Sequence, residues 1–171
     1  MHDELTDPVR PPTMNPADAP LFASLDQAVE DFCRFMQNLP PEATTQRDQG
    51  PMEVLAHLVF YHELYVAQAQ AFLAGTSVDL PKGRYSELYA EAAERFRGVP
   101  IDEMVKRLRI ANRRLGELCA EGDAEEIVLP IKTGIKPYRL AKLIPQVTSH
   151  IRNHQRQLQM EMRKGRARFA E

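Results

Sequence analysis

Three histidines in this chain have the types and spacing to work together. His57 lies in one apolar helical stretch, and His150 and His154 lie in another. Residues four apart on an α-helix share a face and stand about 6 Å apart along its axis. Two imidazoles so placed can converge on one metal ion. A third, from a helix packed alongside, completes a three-nitrogen site with a position left for water or substrate. Such a site suits a divalent Zn, Ni or Fe ion, and imidazole alone does not choose among them. The plain alternative is that each is an ordinary packed or solvated histidine. Hydrogen bonds among Tyr61, Tyr65, Gln68, Gln157 and water would satisfy buried imidazoles without any metal.

Other polar residues fall near the same stripes. Glu53 lies one turn before His57 and can orient its ring as a hydrogen-bond acceptor. Tyr61 and Glu53 are the candidates for acid or base chemistry. Tyr65, His62 and Gln157 are candidates for contacting a substrate, Gln157 because it follows His154 by three residues. His62 is five residues from His57, about 140° around an ideal helix, so the two are not expected to share one site, and His62 reads first as structural with a substrate contact as the alternative. The window around His150 is not the His-Glu-x-x-His motif of zinc proteases, because Ile151 stands where the general-base Glu would be. The sequence contains no Gly-rich phosphate loop or dinucleotide fingerprint.

Helical periodicity predicts the elements that would carry these groups. Leu21, Phe22, Leu25, Val29, Phe32, Phe35, Met36 and Leu39 follow 3–4 spacing until Pro40-Pro41 ends the run. After a polar linker over 42–50, Pro51 opens a helix that runs to Ala74. A short helix is expected from Tyr85 to Phe96, a strong one from Ile101 to Ala120, and a last one from about Tyr138 to Lys164. Pro145 would either kink that last helix or mark its true first turn. Residues 126–131 are β-prone and predict an ordered loop or a two-strand fragment. The pattern predicts an all-α four-helix bundle over 21–164 with an additional short helix. A disordered Pro-rich arm is expected over 1–20 and a basic tail over 165–171.

Composition narrows the function classes. With 22 Lys+Arg against 24 Asp+Glu among 171 residues, no global basic field points to nucleic acid. Arginines on the last helix (Arg152, Arg156, Arg163) and around Arg107–Arg114 read as solvated helix faces, without aromatic interleaving. The longest apolar stretch, 54–74, contains His57, His62, Glu63, Gln68 and Gln70, so it reads as a buried helix and no membrane span is expected. The start has neither a basic n-region nor an apolar h-region, so no secretory signal is expected. Cys33 and Cys119 do not make a disulfide framework, and a reducing, cytoplasmic setting is the expectation.

The stretch Pro51-Met52-Glu53-Val54-Leu55-Ala56-His57-Leu58 resembles the second-helix motif of the DinB-like superfamily, also called YfiT-like metal-dependent hydrolases. His150-Ile151-Arg152-Asn153-His154-Gln155-Arg156-Gln157 is similar to that family's last-helix His-x-x-x-His followed by Gln. The resemblance implies a four-helix bundle holding a divalent metal on His57, His150 and His154, often as a homodimer. It implies thiol-dependent transferase, isomerase or hydrolase activity on a small molecule. The stretch Ala56 to His62 also resembles the ClbS/DfsB branch, which hydrolyses a strained warhead without an obvious metal. The chain has no Trp, which that branch carries near the second-helix His, and Tyr61-His62 stands there instead. A non-catalytic dimeric bundle, serving in stress or small-molecule binding, is the alternative outside enzymology.

Overall fold

The computed structural model describes residues 13–45 and 50–168. In chain order it forms α1 (Ala19–Gln37), a short 3-10 turn (Pro41–Thr44), α2 (Pro51–Leu73), α3 (Tyr85–Arg95), α4 (Ile101–Glu121), β1 (Val128–Leu129), β2 (Tyr138–Arg139) and α5 (Leu140–Arg168). The architecture is all-α, a bundle of α1, α2, α4 and α5 with the short α3 beside it. The two strands pair antiparallel, Val128 with Arg139 and Leu129 with Tyr138. The β-prone stretch is therefore a two-strand fragment.

Local chemistry explains the helix starts. Pro20 and Pro51 sit in the first turns of α1 and α2, where a missing N–H leaves no bond unmade. The start of α5 is different. Tyr138 belongs to β2, so the helix begins at Leu140, and Pro145 lies inside it rather than in its first turn. The first-turn amides of α5 are satisfied from outside the helix. Leu140 N–H donates to Ile127 O at 2.8 Å and Ala141 N–H to Ala124 O at 2.9 Å. Those bonds tie the register of α5 to the loop that follows α4.

Helix α1 begins two residues before the expected Leu21, and the end of the predicted arm docks on the body. Asp18 is buried, and its Oδ2 accepts from Ala124 N–H at 3.3 Å and from the Cys119 thiol at 3.6 Å. Residues 1–12 of the predicted arm and 46–49 of the predicted linker lie outside the described residues. At the other end α5 continues to Arg168, past the expected boundary at Lys164, and 169–171 of the predicted tail lie outside the described residues.

Sequence-adjacent helices do not simply pack as neighbours in the bundle. Helix α4 lies against both α1 and α2, α5 packs mainly on α1, and α2 meets α5 over only a short stretch. The core between them is filled by Leu25, Phe32 and Met36 of α1, Leu55 and Leu58 of α2, and Met104, Leu108 and Leu115 of α4. Arg109 of α4 grips Glu30 of α1 through two bonds of 2.8 and 2.9 Å, and Arg107 reaches Glu63 of α2 at 2.8 Å. These ion pairs are partly exposed, so they contribute little beside the apolar core. No helix among the described residues is long and apolar enough to cross a membrane.

Leu108 is fully buried in the bundle core, whereas Ile110 is 54% exposed on the same helix. Leu108→Ala should lower unfolding stability by about 2–5 kcal/mol through lost burial and the cavity left behind. Ile110→Ala should change it by about 0.5 kcal/mol or less. Urea denaturation of both variants measures the difference, and equal losses would contradict this core assignment.

Candidate metal centre

The short seam between α2 and α5 is where the three histidines meet. His57 projects from α2, and His150 and His154, one turn apart, project from α5. The Nε2 atoms of His57 and His154 each lie 3.0 Å from His150 Nε2, and all three ligand atoms fall within 4.8 Å of one another. The rings crowd together: the His150 and His154 centroids are 4.3 Å apart at 82°, and His57 lies 5.3 and 5.6 Å from them. Tyr61 and Tyr89 close over His57 at 4.9 and 5.0 Å. Among the described residues this is the one such cluster of metal-ligating side chains.

Three converging Nε2 atoms are hard to satisfy by hydrogen bonds alone. A neutral imidazole nitrogen offers either one N–H or one in-plane lone pair. His150 Nε2 faces two nitrogens and can serve only one of them well. A cation at their common point accepts all three lone pairs together. Two nitrogens each about 2.1 Å from one ion lie about 3.0 Å apart at a right angle and about 3.4 Å apart at a tetrahedral angle. The observed 3.0 Å spacings fit that range. His57 Nδ1 is buried with no partner among the described residues, whereas the outer nitrogen of a ligating ring is normally hydrogen-bonded.

Electrostatics keep the cluster uncharged at neutral pH. Burial, and then the neighbouring imidazoles, push His57 down to about 3. His154 falls to about 4 for the same reasons, and burial also lowers His150. Neutral rings present the lone pairs that a metal requires.

A cavity of about 310 Å³ opens beside the cluster. Helix α2 contributes His57, Tyr61, His62 and Tyr65 to its wall, and α5 contributes Leu143, Gln146, Val147 and His150. Tyr85 at the start of α3, with Ile131 and Tyr138 from the hairpin, closes the rest. His154 does not line it, so the cavity meets the cluster at His57 and His150. The hairpin is held in place by Gln68, whose buried amide donates to Pro130 O, and by Thr133 N–H, which donates to Pro81 O at 3.1 Å.

The expected site residues divide accordingly. His57, His150 and His154 come together, and Tyr61, His62 and Tyr65 line the adjoining cavity. His62 shares that cavity with His57 despite their wide angular separation, because the cavity reaches both stripes of α2. Gln157 does not line it. The residue is exposed and lies two turns beyond His150 along α5, while the cavity lies the other way. Gln146, one turn before His150, occupies the place expected of Gln157. Glu53 also stands apart. It is buried, but it faces a separate cavity of about 240 Å³ with Met52, Phe96 and Ile101, and its Oε2 has no partner among the described residues. Its expected role as acid, base or ring-orienting acceptor at the His57 site is not supported by this arrangement.

Tyr85, Tyr138 and Gln146 escape the sequence reading. The i, i+4 step back from His150 would have found Gln146. The two tyrosines sit at element starts, outside any periodic stripe, and carry no comparable signal.

His62 is almost wholly buried, at 1% exposure, and its ring orientation is fixed. Nδ1–H donates to Leu58 O at 2.9 Å. The direction follows because a carbonyl can only accept. The opposite nitrogen, Nε2, is therefore an acceptor, buried and without a partner among the described residues. The Tyr61 hydroxyl is likewise buried and unpartnered, and burial pushes its pKa up to about 12, so it remains a proton donor at neutral pH. Comparison of the chain with protein-family models, curated proteins and solved structures finds no match.

Burial pushes His62 down to about 4. An unfolded chain returns it to about 6.5. Between those values the unfolded chain binds the extra proton. Stability is therefore full above pH 6.5 and is lost as pH falls toward 4. The share due to His62 approaches about 1.4 kcal/mol for each pH unit below 6.5. Urea titrations in chelator at pH 7.5, 6.0 and 5.0 should show this decline, and His62→Asn should flatten it by about one proton. An unchanged slope in that variant would contradict a neutral, buried His62.

Proposed function

We propose that the protein is a metal-dependent enzyme, of the transferase or hydrolase type, acting on a small molecule held in the tyrosine-lined cavity. The observation that carries this reading is the convergence of three Nε2 atoms at the wall of that cavity. His57, His150 and His154 would hold a divalent Zn, Ni or Fe ion. When bound, such an ion supplies Lewis acidity, lowering the pKa of a water or thiol beside it. His154 stands behind the centre, and His57 and His150 border the cavity. Tyr61 lines the cavity and keeps its hydroxyl protonated at neutral pH, which makes it the candidate acid of the site. Tyr65, Leu143 and Val147 exclude water around a bound molecule.

The DinB-like resemblance supports the same reading, since the histidines it implies as ligands are the three that meet. It also supplies the homodimer that we include in the proposal. Two buried, unbridged thiols suit a reducing, cytoplasmic setting.

Metal analysis and melting curves test the proposal directly. The purified protein should take up about one Zn²⁺ or Ni²⁺ per chain, as expected of a single three-histidine site. Saturating metal, at about 100 times its Kd, should add about 2.7 kcal/mol at pH 7.5. The gain should persist at pH 5.5, because the folded imidazoles are still neutral there, and should shrink only as pH falls toward about 4, where protons compete for His154. A His150→Ala/His154→Ala double variant should lose both uptake and gain. No uptake and no stabilisation at either pH would overturn the metal reading in favour of a metal-free hydrolase or a binding protein.

A further inference from the structure

The mouth of the cavity carries a cation that the histidine cluster does not use. Lys132 follows Ile131 in the loop between the two strands, and Ile131 and Tyr85 both line the cavity. Tyr85 is 55% exposed, which puts it at the rim, and the Lys132 ammonium stands 5.5 Å from its ring centroid. Lys132 is half-buried and makes no ion pair among the described residues. Its charge is therefore held near the opening by the ring face, with no carboxylate beside it.

No acid inside the cavity offsets that charge. Among the described residues no Asp or Glu lines the wall. Glu87 accepts from the Arg84 amide at 2.7 Å, and Glu91, whose charge is felt at Tyr61, is exposed outside the wall. A divalent ion on three neutral imidazoles would add more positive charge with no protein anion to balance it. Both features raise the local concentration of anions at the opening. The rest of the wall narrows the kind of anion. Among the described residues it holds no Arg fork and no glycine that would cradle a phosphate. Leu143, Val147 and the tyrosine rings instead suit an apolar body, and about 310 Å³ limits it to a small molecule.

We propose that this cavity binds an organic monocarboxylate with an apolar body, and that Lys132 at its mouth selects for the charge. The inference deepens the function proposed above by naming the substrate class, and rests on that reading only in taking this cavity as the working site. The part played by Lys132 does not require the metal.

The test uses the full-length chain and two fluorescent probes of the same shape, 2-naphthoate and its uncharged amide, 2-naphthamide. In chelator at pH 7.5 and low salt, the carboxylate should bind about fivefold more tightly, as one partly exposed charge pair allows. Added salt should narrow that gap, since solvent reaches the mouth. Lys132→Met keeps the length of the side chain and removes its charge, so it should bring the two probes to equal affinity. Lys132→Arg should retain the preference. Lys136→Met changes the net charge by the same amount from an exposed position off the wall, and the preference should persist in it. Excess Zn²⁺ should widen the gap where the metal reading holds. Failure of that reading would appear as absent metal uptake and a gap indifferent to Zn²⁺, and would leave the chelator series intact. Equal affinity of the two probes for the unaltered chain in chelator would overturn the proposal. So would absence of binding by both probes, preference for the amide, a gap that survives in Lys132→Met, or one lost equally in Lys136→Met.

Discussion

Helix α2 has almost no face to give to water, and the rest of the molecule is arranged around that constraint. Fourteen of its 23 residues are buried, spread around the whole circumference. A helix apolar on all sides has to be enclosed by others. Helix α4 covers one side, α3 a second and the β-hairpin a third, while α5 approaches along a fourth without closing it. The cavity is the part of this enclosure left unsealed. Its polar groups come from α2, in His57, Tyr61, His62 and Tyr65, and from the neighbours that border the gap, in His150, Gln146, Tyr85 and Tyr138.

The rigidity of the histidine cluster follows from how α5 is anchored. Its first amides are bonded to carbonyls of the loop after α4, and its apolar face lies on α1. Neither anchor involves α2. His150 and His154 are thus brought to His57 by packing made elsewhere in the fold. Partial burial and mutual repulsion where three imidazoles crowd keep them neutral, and neutral rings turned nitrogen to nitrogen leave lone pairs that cannot all find protons. The polypeptide bears that frustration, which three histidines dispersed over the surface would not have. Such local cost at a concentrated cluster is the usual mark of a site shaped for something other than stability.

Much of this was legible from periodicity. Apolar spacing, Pro and Gly placed four of the five helices within a few residues at each end, and the i, i+4 pair His150–His154 with a lone His57 identified the cluster. What spacing could not supply was direction along the helix axis. A residue one turn before His150 and one a turn after His154 are nearly equivalent on a helical wheel. Only the position of the hairpin makes Gln146, itself exposed, the cavity residue rather than Gln157. Angular separation misled for the opposite reason. Ligands to a single ion must point at one spot, but walls of a cavity need only surround one, so His57 and His62 share it from different stripes. Glu53 shows a third limit: it lies one turn from His57 on α2, yet it lines a neighbouring cavity instead. Tyr85 and Tyr138 belong to no stripe, and only tertiary structure brings them in.

The hairpin that completes the cavity is a slight element, four paired residues fastened by the Gln68 amide and one backbone bond to Pro81. Leu129 and Ile131 of that ribbon belong to the same hydrophobic core as α1, α2, α4 and α5, and Tyr138 packs against it. Changes at Ile131 or Tyr138 therefore alter the shape of the chamber and draw on the packing that holds the helices together. Selectivity and foldedness meet in the same few residues, so rewriting the ribbon to admit different guests around the histidine cluster carries a cost in stability.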